Sequence, residues 1–114
     1  MSRRNDQRLE DILAAAGAIA DHLQRGGLDD GLVFDAVRVR LIEIGEAVRA
    51  IEPALLAHES SIPWVDVAAV RNHLAHRYFD TAHAVIQATV DHDLPAPVAG
   101  VRRLLAYLAT EAEQ

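Results

Sequence analysis

The stretch "DDGLVFDAVRVRLIEIGEAVRAIE", residues 29–52, carries the pattern on which the fold depends. Its apolar side chains recur at intervals of three and four residues, which predicts one face of an α-helix. That face consists of Val33, Ala36, Val37, Leu41, Ile44, Val48 and Ile51. Asp29 and Asp30 suit a helix N-terminus, and Pro53 disfavours helix in the residue before it. Val39 and Ile42 form a second apolar edge, so the helix either lies centrally in a monomeric bundle or also contacts a second subunit.

Helical patterns extend from this stretch in both directions. The preceding segment, "RLEDILAAAGAIADHLQ" (residues 8–24), has an apolar stripe and stops before Gly26 and Gly27. The following segments are "PALLAHE" (53–59), "SSIPWVDVAAVRNHLAHRYF" (60–79), "DTAHAVIQATVDHD" (80–93) and "LPAPVAGVRRLLAYLATEAEQ" (94–114). We therefore predict an all-α fold: a small antiparallel helical bundle of about five or six helices, forming a single domain over residues 1–114.

Individual residues indicate how the later helices begin and which way they face. Pro63 suits a first helical turn, because its φ is fixed and it has no N–H to leave unpaired. Trp64 is expected to bury its ring as a core anchor. Asp80 or Thr81 could cap the helix that follows. The expected core-facing positions are Val67, Val70 and Leu74, and then Val98, Val101, Leu104, Leu105 and Leu108 in the last helix.

Composition and charge exclude several classes of protein. The chain has no cysteine, which rules out disulfides and thiolate metal sites. No apolar run approaches the roughly 20 residues of a membrane-spanning helix, and the opening "MSRRND" is not followed by a signal-peptide pattern, so we expect a cytoplasmic protein. The net charge is −6 and all 11 basic residues are arginine. An acidic balance argues against a protein that coats nucleic acid through bulk charge attraction, although a local arginine cluster could hold one or two phosphates.

Titratable groups are concentrated in "VRNHLAHRYF" (residues 70–79), which contains two arginines, two histidines and a tyrosine. In a regular helix Asn72 and His76 are neighbours, whereas the directions of Arg71 and His76 differ by about 140°. One straight helix is therefore a poor platform for an Arg–His pair. Either the helix unwinds near His76, or a second copy of the chain completes the site.

These residue types could together cleave RNA without a metal. Histidine is the side chain best suited to general acid–base work near neutral pH, and arginine donates paired hydrogen bonds to phosphate oxygens. The base would take the proton of a ribose 2′-OH, which then attacks the neighbouring phosphate. DNA lacks that hydroxyl and is a less favoured substrate. The plainer alternative is an exposed polar helix end, since Arg and His five residues apart occur by chance in many helices.

Two further groups of titratable side chains are weaker candidates for a site. Glu43 and Glu46 could form a carboxylate pair, although an exposed polar edge is the simpler explanation, and Glu46 could also hydrogen-bond an arginine. His73 and His76 have a spacing that can bind a metal if His83 approaches. Their rotation around the helix directs them only loosely together, and the chemistry above requires no metal. We therefore expect no metal site.

The segment "RNHLAHRYF" resembles the signature of HepT-like proteins in the HEPN superfamily, in which Arg, four residues, His, one residue and Tyr follow in that order. Arg71, His76 and Tyr78 fill these positions, and Asn72 matches the asparagine that often follows the arginine. Three further segments resemble the family: "LIEIGEAVRAI" (41–51), "IPWVDVAAVRN" (62–72) and "DHDLP" (91–95). The resemblance thus covers the chain from around residue 35 onward.

The resemblance implies a helical homodimer that acts as a toxin and cleaves RNA, with the motifs of both subunits lining one cleft. Arg71 and His76 would be the catalytic pair, and Asn72 a supporting polar contact. The cognate antitoxin would be a minimal nucleotidyltransferase of the MntA type, which attaches AMP to the motif tyrosine, here Tyr78. Toxin and antitoxin could share a larger hetero-oligomer. No cofactor is implied.

Three other side chains are expected to contact RNA, namely His73, Arg77 and Glu46. One departure from the family is Ala69, which stands where glycine is common and is expected to tighten a helix–helix approach. A different class of function stays open: a non-catalytic helical nucleotide-binding or adaptor module, which the acidic charge slightly favours. A nucleotidyltransferase gene beside this one would support the toxin instead.

Overall fold

The computed structural model describes residues 2–76 and 83–113, and the regular structure in these two ranges is helical. The six α-helices are α1 (Ser2–Arg25), α2 (Gly31–Ala50), α3 (Pro53–Leu56), α4 (Trp64–His76), α5 (His83–Ala88) and α6 (Pro95–Ala112). A 3₁₀ turn, Ala57–Glu59, follows α3, and a π-helical turn, Thr89–Asp93, follows α5. The predicted all-α fold is therefore confirmed. The cap predicted at Asp80 or Thr81 lies outside the described residues.

Helix α2 begins and ends where its local sequence indicates. The side chain of Asp30 accepts a hydrogen bond of 2.9 Å from the backbone N–H of Leu32, which caps the helix. At the other end Glu52 is extended, with φ −61° and ψ 128°, as expected for a residue that precedes proline. The predicted apolar face is buried except at Ala36, which is partly exposed.

Helix α2 is also the central element of the bundle. It forms an antiparallel hairpin with α1 on one side and packs against α4 on another, while α6 packs against α1. The large side chains that are most completely buried come from α1, α2, α5 and α6: Leu9, Ile12, Ile19, Val37, Ile86, Val101 and Leu104. Val39, on the second apolar edge, is 45% exposed in the single chain. The homodimer stays a prediction.

Trp64 anchors the start of α4, as the sequence predicted. Its indole Nε1 donates to the carbonyl oxygens of Leu56 and Glu59, at 3.1 Å each, and its ring is buried. Gly100 of α6 leaves room for the ring, since a Cβ there would lie 3.4 Å from Cζ2 of Trp64. The indole thus joins the 3₁₀ turn, α4 and α6, which sets where α4 begins.

No helix within residues 2–76 and 83–113 combines the length and the apolar character needed to cross a bilayer. The longest, α1, has 24 residues but carries charged side chains along its length, including Arg8, Asp11 and Asp21.

Candidate functional site

Helices α2 and α4 approach each other closely at Gly45. A Cβ on this glycine would lie 2.7 Å from Cβ of Arg71, 3.1 Å from its backbone nitrogen and 3.2 Å from the carbonyl oxygen of Ala68. The first distance is shorter than a Cβ contact tolerates without movement and the other two are tight, so glycine is the residue that permits the observed spacing. The contact fixes the position of Arg71 over α2.

The departure at Ala69 does not have the effect predicted from the sequence. Ala69 is exposed, and the close approach of the two helices involves its neighbour Ala68 and Arg71 instead. The reason is helical rotation, since adjacent residues on a helix point about 100° apart. Ala69 therefore faces away from α2 and cannot tighten this contact.

The Arg71 guanidinium is held by two neighbours. Its Nε donates a short hydrogen bond to Oε1 of Glu46, and its Nη1 donates to Oδ1 of Asn72 at 3.0 Å. The side chains of Arg71 and Glu46 are 33% and 51% exposed, so solvent or a ligand can reach them. Within the described ranges Nη2 has no hydrogen-bond partner. The group can therefore still donate to an incoming anion.

A second arginine, Arg38 of α2, contacts the end of α4. Its Nη1 donates to the carbonyl oxygen of Leu74 at 3.1 Å, two residues before His76. A cation near the carbonyl end of a helix is favoured by the helix dipole. No sequence signal marked Arg38 or Gly45 as part of the site, although they lie seven residues apart and therefore on one face of α2.

The remaining motif residues are only partly described. His76 is the last residue of α4, but its side chain lies outside the described structure, as do Arg77 and Tyr78 altogether. The convergence of Arg71 with His76 consequently stays a prediction. His73 is exposed and lines a groove of about 240 Å³ between α4 and α5, together with Val85 and Thr89. It is not brought beside Arg71 and Glu46.

A larger groove, about 550 Å³, runs between α1 and α2 and reaches Glu46. Its walls carry both signs of charge, from Arg8, Asp11, Arg40, Glu43 and Glu46, over a floor of small residues. Glu43 binds Arg40 at 3.0 Å, one turn away on the same helix, whereas Glu46 reaches across to α4. The two carboxylates thus serve different arginines and do not form a catalytic pair.

A third arginine–glutamate pair lies away from this site. Arg103 of α6 donates from Nε to Oε1 of Glu59 in the 3₁₀ turn at 2.8 Å, and its Nη2 lies 2.7 Å from the same oxygen as an ion pair. The hydrogen bond from Arg103 lowers the pKa of Glu59 below its ordinary value, and the carboxylate raises the pKa of Arg103. Both shifts favour the charged forms, and the pair fastens α6 to the turn before α4.

Comparisons with known proteins agree on one family. The chain matches the family described as Ribonuclease HepT-like over residues 7–104. It is 32% identical over 101 residues to a protein of Caldanaerobacter subterraneus subsp. tengcongensis that is named as a proposed RNase, covering 85% of this chain and 90% of that protein. A protein of Thermococcus cleftensis, named as a probable ribonuclease HepT, is 31% identical over 100 residues, covering 84% of this chain and 91% of the relative. No solved structure matches the chain significantly.

Proposed function

Because this chain belongs to the Ribonuclease HepT-like family, we propose that it is a toxin that cleaves RNA internally, without a metal, through Arg71 and His76. The observation that carries the proposal is the state of the Arg71 guanidinium. Gly45, Glu46 and Asn72 hold it at the surface, and no described residue accepts a hydrogen bond from its Nη2. A charged, oriented guanidinium that is not fully used by the described part of the chain fits a site for a phosphodiester.

The proposed chemistry uses the substrate's own hydroxyl as the nucleophile. The imidazole of His76 takes the proton of a ribose 2′-OH, the 2′-oxygen bonds to the adjacent phosphorus, and the bond from phosphorus to the 5′-oxygen breaks. A second imidazole, from the partner subunit, gives a proton to the departing 5′-oxygen. Arg71 donates to the phosphoryl oxygens, where negative charge grows. General acid–base catalysis of this kind contributes about 10²–10⁴-fold.

The regulation that we propose also acts on the motif. A minimal nucleotidyltransferase of the MntA type attaches AMP to Tyr78, two residues after His76. The added phosphate is negative and bulky, so it competes with RNA for the arginine donors. A homodimer brings two copies of the motif to one cleft, which answers the poor alignment of Arg71 and His76 on a single straight helix. RNA cleavage and the addition of AMP would both take place in the cytoplasm.

The proposal is tested by assaying RNA cleavage in the presence of EDTA. We expect wild-type protein to cut RNA and to leave 2′,3′-cyclic phosphate ends, and Arg71→Ala or His76→Ala to lower the rate by at least about 100-fold. His58→Ala is the matched control, because His58 is exposed and stacks on Tyr107 in another part of the molecule. Mixing the two inactive variants should restore at most a small part of the cleavage, since a mixed dimer retains one arginine but only one of the two histidines that the reaction uses.

Full activity of His76→Ala would end the catalytic assignment. Cleavage by the wild type that disappears in EDTA and returns with a divalent ion would contradict the metal-free chemistry. RNA or nucleotide binding with no cleavage at all would instead favour the non-catalytic binding module.

A further inference from the structure

The donors of Arg71 are divided unequally between the chain and solvent. A guanidinium has five N–H groups. Glu46 takes the one on Nε and Asn72 takes one on Nη1. Among residues 2–76 and 83–113, the second N–H of Nη1 and both of Nη2 have no further acceptor. Two acceptors on adjacent nitrogens fix the plane of the group and its rotation, so the remaining donors point in a defined direction.

Glu46 is placed by the same contact that places Arg71. It follows Gly45 directly, and Gly45 is the residue that lets α4 approach α2. The neighbouring acidic residue, Glu43, lies one turn earlier on α2 and is as exposed as Glu46, at 49% against 51%, but it binds Arg40 of its own helix. Glu46 therefore differs from Glu43 in reaching the motif helix.

We propose that Glu46 is a positioning residue for the ribonuclease reaction: its carboxylate holds Arg71 by the Nε edge and directs Nη2 toward the phosphodiester. Its negative charge has a second effect, which is to weaken RNA binding by repelling the same phosphate. The proposal rests on the proposed function of Arg71. It goes further because it assigns two effects to Glu46. The carboxylate raises turnover by orienting Arg71, and its charge lowers the affinity for RNA.

The two effects can be separated by substitution, because glutamine keeps an oxygen acceptor and loses the charge. In Glu46→Gln, Oε1 can still accept from Nε of Arg71. In Glu46→Ala, both the acceptor and the charge are lost, and the guanidinium is free to rotate. Glu43→Gln and Glu43→Ala are the matched controls, since they change the charge of the same helix by the same amount without contacting Arg71.

We expect kcat for RNA cleavage to fall by about 10- to 100-fold in Glu46→Ala, because a displaced catalytic group costs rates of that order. Glu46→Gln should retain a kcat at least about tenfold above that of Glu46→Ala. Its KM for RNA should be about threefold below that of the wild type, and that decrease should exceed the one in Glu43→Gln.

The positioning effect is overturned if Glu46→Ala has the kcat of Glu43→Ala, or if Glu46→Gln loses as much kcat as Glu46→Ala. The charge effect is overturned if the KM of Glu46→Gln is not below that of Glu43→Gln.

A second measurement does not require the protein to cleave RNA. The ¹H–¹⁵N signal of Arg71 Nε, assigned by its loss in Arg71→Lys, should be shifted downfield and exchange slowly with water in the wild type. It should move to the position of exposed arginines in Glu46→Ala and stay in place in Glu43→Ala. A signal that does not move in Glu46→Ala rejects the positioning role. An inactive wild type with the expected signals rejects the proposed function alone.

Discussion

At the scale of single residues, Arg71 and Arg103 show two uses of one side chain. Each binds a glutamate from another element, but Arg103 donates from Nε to Oε1 of Glu59 and also places Nη2 within 2.7 Å of that oxygen. Arg71 gives only Nε to Glu46 and turns Nη1 to Asn72. The side chain of Glu59 is 17% exposed and that of Glu46 is 51% exposed. The first pair is therefore suited to fastening the fold, and the second to meeting a ligand.

The pair of Glu59 and Arg103 predicts a dependence of stability on pH. The pKa of Glu59 is lower in the folded protein than the ordinary value of 4.5, because Arg103 donates a hydrogen bond to its charged form. The pair therefore contributes stability above pH 4.5, and this contribution is lost as pH falls through the folded pKa. We expect Arg103→Ala to be less stable than the wild type near neutral pH, with a difference that shrinks under acid conditions.

Thermal unfolding followed by circular dichroism from about pH 7 to about pH 3 measures this difference. Arg102→Ala is the matched control, because Arg102 is the exposed neighbour and makes no ion pair within the described part of the chain. Equal dependence of Tm on pH in the two variants would contradict the assignment.

At the scale of elements, the site depends on how α4 lies across α2. The two helices run antiparallel, since Arg38 of α2 meets Leu74 of α4 while Gly45 meets Ala68 and Arg71. Backbone-level contact at Gly45 sets the distance between them. Arg38 donates to the carbonyl oxygen of Leu74, which lies one turn after Arg71 on α4 and two residues before His76. The contacts with α2 thus determine the position of the motif segment in α4.

Two glycine substitutions are expected to have opposite effects on stability, because Gly45 lies at a close helix contact and Gly17 does not. In Gly45→Ala the new Cβ would lie 2.7 Å from Cβ of Arg71, so α4 must shift. We expect a loss of about 1–3 kcal/mol in the free energy of unfolding, together with weaker RNA cleavage. In Gly17→Ala no atom lies within 4 Å of the new Cβ. This exposed helical position should gain about 0.5–1 kcal/mol, because alanine loses less backbone entropy than glycine.

Urea denaturation measures both changes, and the cleavage assay shows whether the shift of α4 reaches the site. Equal stability of the two variants would mean that the helices accommodate a methyl group at Gly45, contrary to the observed spacing.

At the scale of the whole molecule, charge is the dominant property. The protein measures 49 × 25 × 21 Å and carries a net charge of −6. In the part of the chain that the structure describes, three arginines are bound to glutamates: Arg40, Arg71 and Arg103. A surface of this kind attracts RNA weakly at long range, so the RNA binding that we propose has to depend on local donors at the motif. Blocking those few donors with one modification would then be an effective means of control.

The modification itself is a prediction for the assembled toxin and antitoxin. When the chain is produced together with a minimal nucleotidyltransferase from the neighbouring gene, we expect its mass to rise by one or more AMP units and its RNA cleavage to fall. Tyr78→Phe should gain no AMP and stay active. Tyr107→Phe is the control, because the chain has two tyrosines and Tyr107 is stacked on His58. An unmodified wild-type protein, or AMP retained by Tyr78→Phe, would contradict the assignment.

Much of the fold could be read from local patterns. The cap at Asp30, the break before Pro53 and the burial of Trp64 depend on residues close to one another in the chain. Periodicity predicted the buried face of α2 for the same reason, since it needs only the geometry of one helix. The motif residues Arg71, Asn72 and His76 were likewise visible as part of a cluster of titratable side chains, and the family resemblance predicts their roles.

The contacts between those residues required the tertiary structure. The sequence allowed Glu46 to bind an arginine but did not indicate which one, and its partner Arg71 lies 25 positions away. Arg38 and Leu74 are 36 positions apart, and the contact of Gly45 with Arg71 gave no local signal. Such pairs depend on the register in which one helix packs on another. That register is set collectively by all the side chains packed in the core. It decides the contacts of the site, because a small shift of α4 along α2 would exchange every partner.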